Sequence, residues 1–581
     1  DQICIGESTT FLANDVVLGG GTGAWTSSDI SIVTVDSTGL VTAIGEGTAT
    51  VSFTITGGCG GPKSKDKQIS VIICNLHYRT VSDGNWNNHS IWETSKTPGG
   101  PWTSATTSPT AYNSLSITVR NSHTVEVTSN VPVARTTIAP GGEVTIHAGV
   151  TVNNVGSNGA ADFVINSEST TTGNGYGSLQ VNGFYSGLIT YNLWVTNSGC
   201  PGYSDRAYII SSPVSGQEAQ ALRIAGSITG IKDYNEGIND WGGEISGNLV
   251  PGKGYSIYKE GSPGLVPFIG RPNAGNIQVP VSSSYSRYGW NSVGNPYTTA
   301  LKIKENTGFI YHNMVTNPVL EPGYGAIYMW NEGICNFDVI NLSGYFNSDW
   351  TNAYYGFVNY STDEMVQVGQ GFLVNIKWPH PGKDIEFNTS MQLHSTMTSL
   401  KKASKSWPGI TLIAQNGTTT ERTIITFYEG GTTGMDPGYD AGTLPAYPFQ
   451  LYTRMVNGKE NFNLAIQTLP VNQYEQLVVP VGIECPSGGE VTFKTMGVIL
   501  PEGLNPIIED RLLKTSTTLK TVDDSYKVTV PAGTRGTGRF YIRFSHTTPV
   551  NETLQPEIKL IAWFADNRIV ISGITDSNTR A

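Results

Sequence analysis

From Trp25 onward the chain alternates. Apolar residues recur at close to every second position through Ile30-Ser31-Ile32-Val33-Thr34-Val35, Leu40-Val41-Thr42-Ala43 and Thr48-Ala49-Thr50-Val51-Ser52-Phe53, and glycines mark the breaks. A period of two interrupted by Gly is the pattern of short, half-buried strands joined by tight turns. After residue 76 the pattern shortens into bursts: Ile117-Thr118-Val119, Val125-Glu126-Val127, Thr137-Ile138, Val144-Thr145-Ile146, Val150-Thr151-Val152, Phe163-Val164-Ile165 and Leu179-Gln180-Val181. Each burst is too short to bury its own apolar face. Stacking them as rungs of a solenoid buries all of them, and an irregular sandwich is the competing arrangement. Residues 188–400 set aromatics beside Gly and Pro, as in Pro251-Gly252-Lys253-Gly254-Tyr255, which suits a sandwich with tight corners. Residues 401–548 predict another sandwich around Arg422–Phe427, Leu464–Pro470, Ile507–Asp510 and Arg539–Phe544. After a linker, Ile558–Phe564 and Asn567–Ile571 predict two more strands around Ala565-Asp566.

The expected fold is therefore all-β, with tandem β-sandwich (Ig-like) domains and a short β-solenoid-like segment. The expected domains are 1–75, 76–187, 188–400, 401–548 and a tail over 549–581. The length of 581 residues agrees, since one domain per roughly 150 residues gives about four. Composition agrees too: charged residues are only 14%, while Gly is 68 and Tyr 27, a supply for strands and turns rather than long helices. The net charge of −11 argues against a nucleic-acid partner, which needs a basic face. No run of about 18 apolar residues is present, so no transmembrane helix is expected. Asp1-Gln2-Ile3-Cys4 reads as the start of a domain without a signal peptide, so a mature or excised piece of a longer precursor is expected.

Six cysteines in a chain this long do not make a disulfide scaffold. Cys4 and Cys59 sit near the two ends of the first domain and form the candidate bridge, which suits an oxidising, extracellular compartment. Cys74, Cys200, Cys335 and Cys485 show no partner in the sequence. There is no C-x-x-C and no His pair at zinc-ligand spacing.

Candidate chemistry is sparse, and no catalytic residue is expected. A glycosidase needs two facing carboxylates. The local acidic groups, Glu429 with Asp436 and Asp440, and Asp233 with Glu236 and Asp240, read as turn residues that hydrogen-bond their own backbone. Asp436 and Asp440 share a loop and are the candidate calcium ligands; no other cofactor is expected. A Ser–His–acid triad has no G-x-S-x-G elbow to support it, and His89, His123, His147, His312, His380, His394 and His546 scatter over the predicted domains. Flat aromatic rings can stack on sugars. Trp86, Trp92 and Trp102 cluster in one segment and Trp330, Trp350, Tyr354 and Tyr355 in another; Trp86, Trp92 and Trp350 are the candidate glycan platforms, against the alternative that such rings pack a core.

Three stretches carry a family resemblance. Trp25-Thr26-Ser27-Ser28-Asp29 through Val35-Asp36-Ser37-Thr38-Gly39-Leu40-Val41-Thr42-Ala43 closely resembles the group 2 bacterial Ig-like domain, with Thr34 where that family usually has Ala. The domain is most often a spacer or adhesive unit in surface proteins. Gly289-Trp290-Asn291-Ser292-Val293-Gly294-Asn295-Pro296-Tyr297, answered by Val368-Gly369-Gln370-Gly371-Phe372-Leu373-Val374, resembles a β-rich module of secreted Bacteroidota surface proteins. The tail resembles the opening hairpin of a type A sorting domain, which implies that Ile558, Leu560, Trp563, Ile569, Val570 and Ile571 belong to a signal read by the type IX secretion system. The resemblance implies passage through the periplasm to the outer-membrane surface or medium, with the translocon and its outer-membrane shuttle protein as partners. The implied role is a non-enzymatic adhesin that binds polysaccharide or a host or neighbouring cell, akin to the gliding-motility adhesins. The alternatives are a structural subunit of an extracellular filament or matrix, and the non-catalytic targeting and export half of a larger hydrolase.

Overall fold

A computed structural model of the protein describes residues 2–72, 76–111, 113–154, 163–168, 175–185, 187–195, 208–259, 261, 263–284, 289–304, 306–331, 336–342, 345–346, 365–394, 407–444, 449–458, 462–546, 561–565 and 568–572. The fold is all-β, tandem sandwiches with a solenoid-like segment. The chain forms two compact units. One comprises Asp1–Trp194, Pro267–Ala274 and His394–Thr398; the other comprises Val195–Val266, Gly275–Leu393 and Ser399–Ala581.

The first unit opens with the alternating segment. Thr22–Ser27 pairs with Gly47–Thr56, which pairs with Lys63–Ile72, and Gln2–Cys4 runs parallel beside the end of that last strand. A second sheet joins Ser8–Thr10, Leu40–Ala43 and Val33–Val35. The period of two gathers Val33, Val41, Ala49, Val51 and Ile69 into one core. The turn before Leu40 needs its glycine: Gly39 has φ +86°, and a Cβ there would lie 2.2 Å from the Phe11 carbonyl oxygen. Asp36 Oδ1 holds the same turn by accepting from the Thr38 and Leu40 amides at 2.8 and 3.0 Å.

The expected Cys4–Cys59 bridge is not formed. Cys59 is a free, exposed thiol, and Cys4 is disulfide-bonded to a partner outside the described residues. The reason is the pairing. Cys4 lies opposite Ile72, whereas Cys59 sits in the turn before Lys63, at the other end of the same strand. That strand separates them by roughly 30 Å at ~3.3 Å per residue, and a disulfide needs Cα atoms within about 7 Å.

The short bursts stack as parallel ladders. Leu76–Thr80, Ser114–Val119, Thr136–Ile138, Phe163–Asn166 and Ile189–Val195 pair in that order. Gly84–Asn85, Thr124–Val127, Glu143–Ile146 and Ser178–Val181 form a second ladder. Val131–Val133, Thr151–Asn154 and Phe184–Tyr185 form a third. Most rungs supply one or two buried apolar residues per ladder, among them Ile117, Val125, Val144, Phe163 and Leu179. At the first rung Trp92–Ser95 pairs antiparallel with Leu76–Thr80 and ends the stack, as repeat arrays require a cap.

In the second unit the two halves of the Gly289–Tyr297 and Val368–Val374 signature become neighbours: Trp290 through Gly294 pair antiparallel with Asn375 through Gly371. Gly294 is required there, since a Cβ would lie 2.7 Å from the Gly371 Cα and 2.6 Å from the Ser211 Cβ. Asn295 is fully buried and donates through Nδ2 to the carbonyls of Thr299 and Val366 at 2.7 and 3.1 Å, fixing the turn. Trp290 is 2% exposed and lies edge-on to Tyr324 and Tyr328 at 5.4 and 4.8 Å. It shares a core with Leu373, Ile424 and Ile466, so the module and the following sandwich pack together. Tyr328 seals that joint by donating to the Gly442 carbonyl at 2.8 Å. The sandwich has its own core around Leu412, Phe427, Val481, Phe493 and Ile542. The tail forms the expected hairpin, Ile561–Ala565 against Arg568–Ser572, and its first strand joins the sandwich sheet at Phe564 opposite Arg535. Ile558 and Leu560 lie outside the described residues.

Candidate functional site

Trp86 and Trp92 are not glycan platforms. Both are fully buried at the capped end of the solenoid, edge-on to each other at 5.2 Å. Trp86 Nε1 donates to the Pro109 carbonyl at 2.8 Å and Trp92 Nε1 to the Trp86 carbonyl at 2.9 Å. A ring whose faces and N–H are both used inside a core has none left for a ligand. Trp102 packs under the Arg79 guanidinium, 4.0 Å from the ring centre. Trp350, Tyr354 and Tyr355 lie outside the described residues.

The calcium candidates hold a turn instead. Asp436 Oδ2 accepts the Thr432 amide at 2.7 Å. Asp440 is fully buried and accepts the Asp436 amide on Oδ2 and the Thr468 amide on Oδ1, both at 2.7 Å. Burial pushes the Asp440 carboxyl up to about 8, outweighing the two N–H bonds that favour its charge, and raises Asp436 in the same sense. A calcium ion needs six to eight convergent oxygens, and these oxygens already accept backbone N–H groups. Among the described residues no three His, Cys, Asp or Glu side chains gather as metal ligands would. The turn is closed by parallel rings that the sequence did not single out: Trp407 lies 4.6 Å from Tyr428, and Tyr428 4.8 Å from Tyr439.

Several of the other acidic and histidine candidates are also fastened. Asp233 pairs with Lys253 Nζ at 2.9 Å. Glu236 is buried and accepts the amides of Ser284 and Gly289 at 3.2 and 3.1 Å. Asp240 accepts the Trp241 amide. His312 meets Glu386 at 2.8 Å and His546 meets Glu475 at 3.1 Å. His394 lies between Ser178 Oγ at 2.8 Å and Thr145 Oγ1 at 2.7 Å, but Ser178 is 1% exposed and out of reach of a substrate.

An open site does appear in the second unit, where sequence reading found nothing. The sheet Tyr208–Ser211, Gly254–Lys259, Ile228–Asn235, Asp240–Glu244 carries a depression of about 420 Å³. That is within the ~300–1,000 Å³ range of small-molecule sites. Its floor follows from strand register. Lys232 lies between Glu244 and Ser256 on the neighbouring strands, and Gly230 lies opposite Tyr258. The missing side chain at Gly230 leaves room in that row for the Glu244 carboxylate, and a bulge between Ile228 and Gly230 brings in Thr229. The helix Ala219–Gly226 anchors Glu244: Arg223 Nη2 donates to Glu244 Oε2 at 2.6 Å, and the Ile231 amide donates to the same oxygen at 3.0 Å. Glu244 Oε1 is thereby turned toward Gly230, where a Cβ would lie 2.6 Å away. The depression is lined by Thr229, whose hydroxyl donates to the Tyr258 carbonyl at 3.4 Å, and by Gly230, Lys232, Glu244, Ser256, Ile257 and Tyr258.

A family profile described as Domain of unknown function (DUF8693) matches residues 78–544, which takes in the solenoid, the depression and the sandwich. The chain belongs to that family. Ahead of the DUF8693 region, residues 7–64 match the bacterial Ig-like domain (group 2), in agreement with the Trp25–Ala43 resemblance. No curated protein matches this DUF8693 chain. Among solved structures it is similar to a bacterial Ig-like domain containing GH10 xylanase from termite gut, at 19% identity and a TM-score of 0.11. That match spans 21% of this chain and 30% of the xylanase chain. No helix among the described residues is long and apolar enough to cross a membrane.

Proposed function

We propose that this chain is a non-catalytic, adhesin-like part of a secreted or surface-displayed protein, exported by the type IX system, that engages surfaces, glycans or cells. The observation that carries the binding half of the reading is the depression over Gly230. Among the described residues Glu244 is the one carboxylate lining it, and Arg223 and the Ile231 amide fix half of that group. Glycoside hydrolysis needs two carboxylates facing across the bond, so this arrangement favours holding a ligand over cleaving it. The Ig-like domain fits the same role, as a spacer in a modular protein. The export half rests on the tail resemblance, and the tail's hairpin is of the extended kind a sorting signal requires. It implies delivery through the periplasm to the outer-membrane surface or beyond, with the translocon and shuttle protein as partners.

The test of export is deletion of Pro556–Ala581 from a full-length precursor. Folded protein should then accumulate in the periplasm; normal surface display of the deletion would refute the sorting role. The test of binding is retention of the chain on envelope preparations and intact cells, where no retention would refute the adhesin role.

A further inference from the structure

We infer that one pole of the Ig-like domain, built on the loop over residues 12–18, is an isologous contact surface for a second copy of this chain. The inference is independent of the depression over Gly230 and of the export reading. The loop carries the chain from the second sheet of the domain to the first. Four of its side chains are apolar and face solvent: Leu12, Val16, Val17 and Leu18 are 72, 37, 85 and 44% exposed. One exposed apolar residue is ordinary, but four on one short loop make a patch of the kind that marks an interaction site. The loop is fastened at its base. The Gly21 amide donates to the Leu18 carbonyl at 2.8 Å, and the Cys59 amide donates to the Gly19 carbonyl at 3.2 Å. The second bond sets Cys59, an exposed free thiol, beside the loop. Lys63 follows that turn, and the chain leaves the domain at Ile72, at the other end of the same strand and roughly 30 Å away.

The charges favour a second copy as the occupant. An isologous contact sets a patch against itself, so the patch must carry both signs. Asp15 lies within the loop. Lys63 and Lys65, opposite Ile55 and Phe53, share one face of the adjoining strand. All three are exposed, and among the described residues none has an ion-pair partner. Across a two-fold axis the lysines of one copy meet the aspartate of the other. Other occupants are opposed. A polyanion meets Asp15, and a polycation meets Lys63 and Lys65. A bilayer has to take in Asp15 with the four apolar side chains, which is costly. Cys59 borders the loop, so the same contact brings two copies of that thiol toward each other and gives the surface a chemical reporter. A contact built on one loop falls at the low end of the ~1,200–2,000 Å² range of specific interfaces, so it is weak, and copies held side by side on a surface strengthen it through effective concentration.

The experiment is sedimentation velocity of the full chain under reductant, at concentrations from about 1 to 200 μM. Wild type is compared with Val17→Asp, Leu12→Asp, Lys65→Glu, the double variant Lys65→Glu with Asp15→Lys, and Cys59→Ser, with calorimetry to show that each is folded. If Val17→Asp unfolds the domain, Val17→Ser takes its place. The expected result is a dimer that forms as concentration rises and is weakened at least about tenfold by Val17→Asp. Lys65→Glu should weaken it too, the double variant should regain it, and Cys59→Ser should leave it unchanged. Air oxidation over a copper–phenanthroline catalyst should then link wild-type chains through Cys59 faster than Val17→Asp chains. A monomer at every concentration overturns the inference. So does a dimer indifferent to both Val17→Asp and Leu12→Asp, a dimer lost in Cys59→Ser under reductant, or an open series of oligomers in place of a dimer. Co-sedimentation of a monomeric chain with phosphatidylcholine or phosphatidylglycerol vesicles, lost in Val17→Asp, assigns the loop to lipid and likewise overturns it.

Discussion

Replacing Trp290 by Ala should destabilise the second unit, because the ring is a keystone rather than a platform. The side chain is 2% exposed, and both of its ring partners, Tyr324 and Tyr328, contact it edge-on. Truncating a buried aromatic costs ~3–5 kcal/mol from lost transfer energy and residual cavity. Edge-to-face contacts add roughly 0.5–1.5 kcal/mol each, which places this substitution at the upper end of that range. The cavity opens in the core shared by the module and the next sandwich, so its walls cannot collapse without moving Leu373 or Ile466. Trp290→Phe keeps one aromatic ring and should cost about half as much. Scanning calorimetry of the full chain is the assay, with the transition of the Ig-like domain as internal reference. At ~2–4 °C per kcal/mol for a large domain, the Ala variant should lower the transition of the second unit by roughly 8 °C or more and leave the reference in place. Hydrogen exchange should accelerate in Trp290–Gly294 and in Gly371–Asn375, the paired strand. An Ala variant whose transition moves by no more than a degree, or whose exchange is unchanged in both strands, would refute the core assignment.

Burial pushes the Glu421 carboxyl up to about 7, against the weaker opposing pull of Arg422. A raised carboxyl favours the folded state fully below its unfolded pKa near 4.5 and loses that contribution as pH rises to 7. Stability should therefore fall over pH 4.5–7, and Glu421→Gln should flatten that fall by up to ~1.4 kcal/mol per pH unit in urea titrations at fixed pH. Arg539 and Asp510 form a buried pair at 2.8 Å, with Asp510 also accepting from Tyr526 at 2.8 Å. Arg539→Met strands that carboxylate and should cost ~3–5 kcal/mol in the same titrations. Brief alkylation of the native chain followed by peptide mapping should modify Cys59, which is exposed, and spare Cys485, which is buried with its thiol pushed up by burial; equal labelling would contradict the placement of both.

How far the sequence could be read depended on whether the signal was local. The solenoid rungs were legible because each one carries its own apolar pair, as in Val125-Glu126-Val127, and the turns between them are written in Gly, Asn and Ser. The Ig-like domain was legible because one run from Trp25 to Ala43 contains most of its turn chemistry. Trp86 and Trp92 misled because a ring that caps a solenoid and a ring that holds a sugar are the same residue in the same Gly-rich setting. Only the carbonyls of Pro109 and Trp86, supplied from elsewhere, distinguish them. The Cys4–Cys59 pairing failed because proximity to a domain's two ends says nothing about which strand the first one joins. The depression had no local motif: it comes from three strands whose register sets Gly230 against Tyr258 and Lys232 between Glu244 and Ser256. The one hint was a glycine inside the strand-like Ile228-Thr229-Gly230-Ile231, which marks a close approach or a gap.

The parallel placement of Gln2–Cys4 beside Ser70–Ile72 has a mechanical consequence. Tension applied across the Ig-like domain pulls those two strands along their shared axis in opposite directions. Their hydrogen bonds are then loaded together, in shear, instead of one after another as when a hairpin is peeled open. The bond at Cys4 lies within the loaded strand itself. A domain tethered in this way would behave under stretch as a stiff link, yielding late and abruptly, and force spectroscopy on a tandem array of it would register high, evenly spaced rupture peaks.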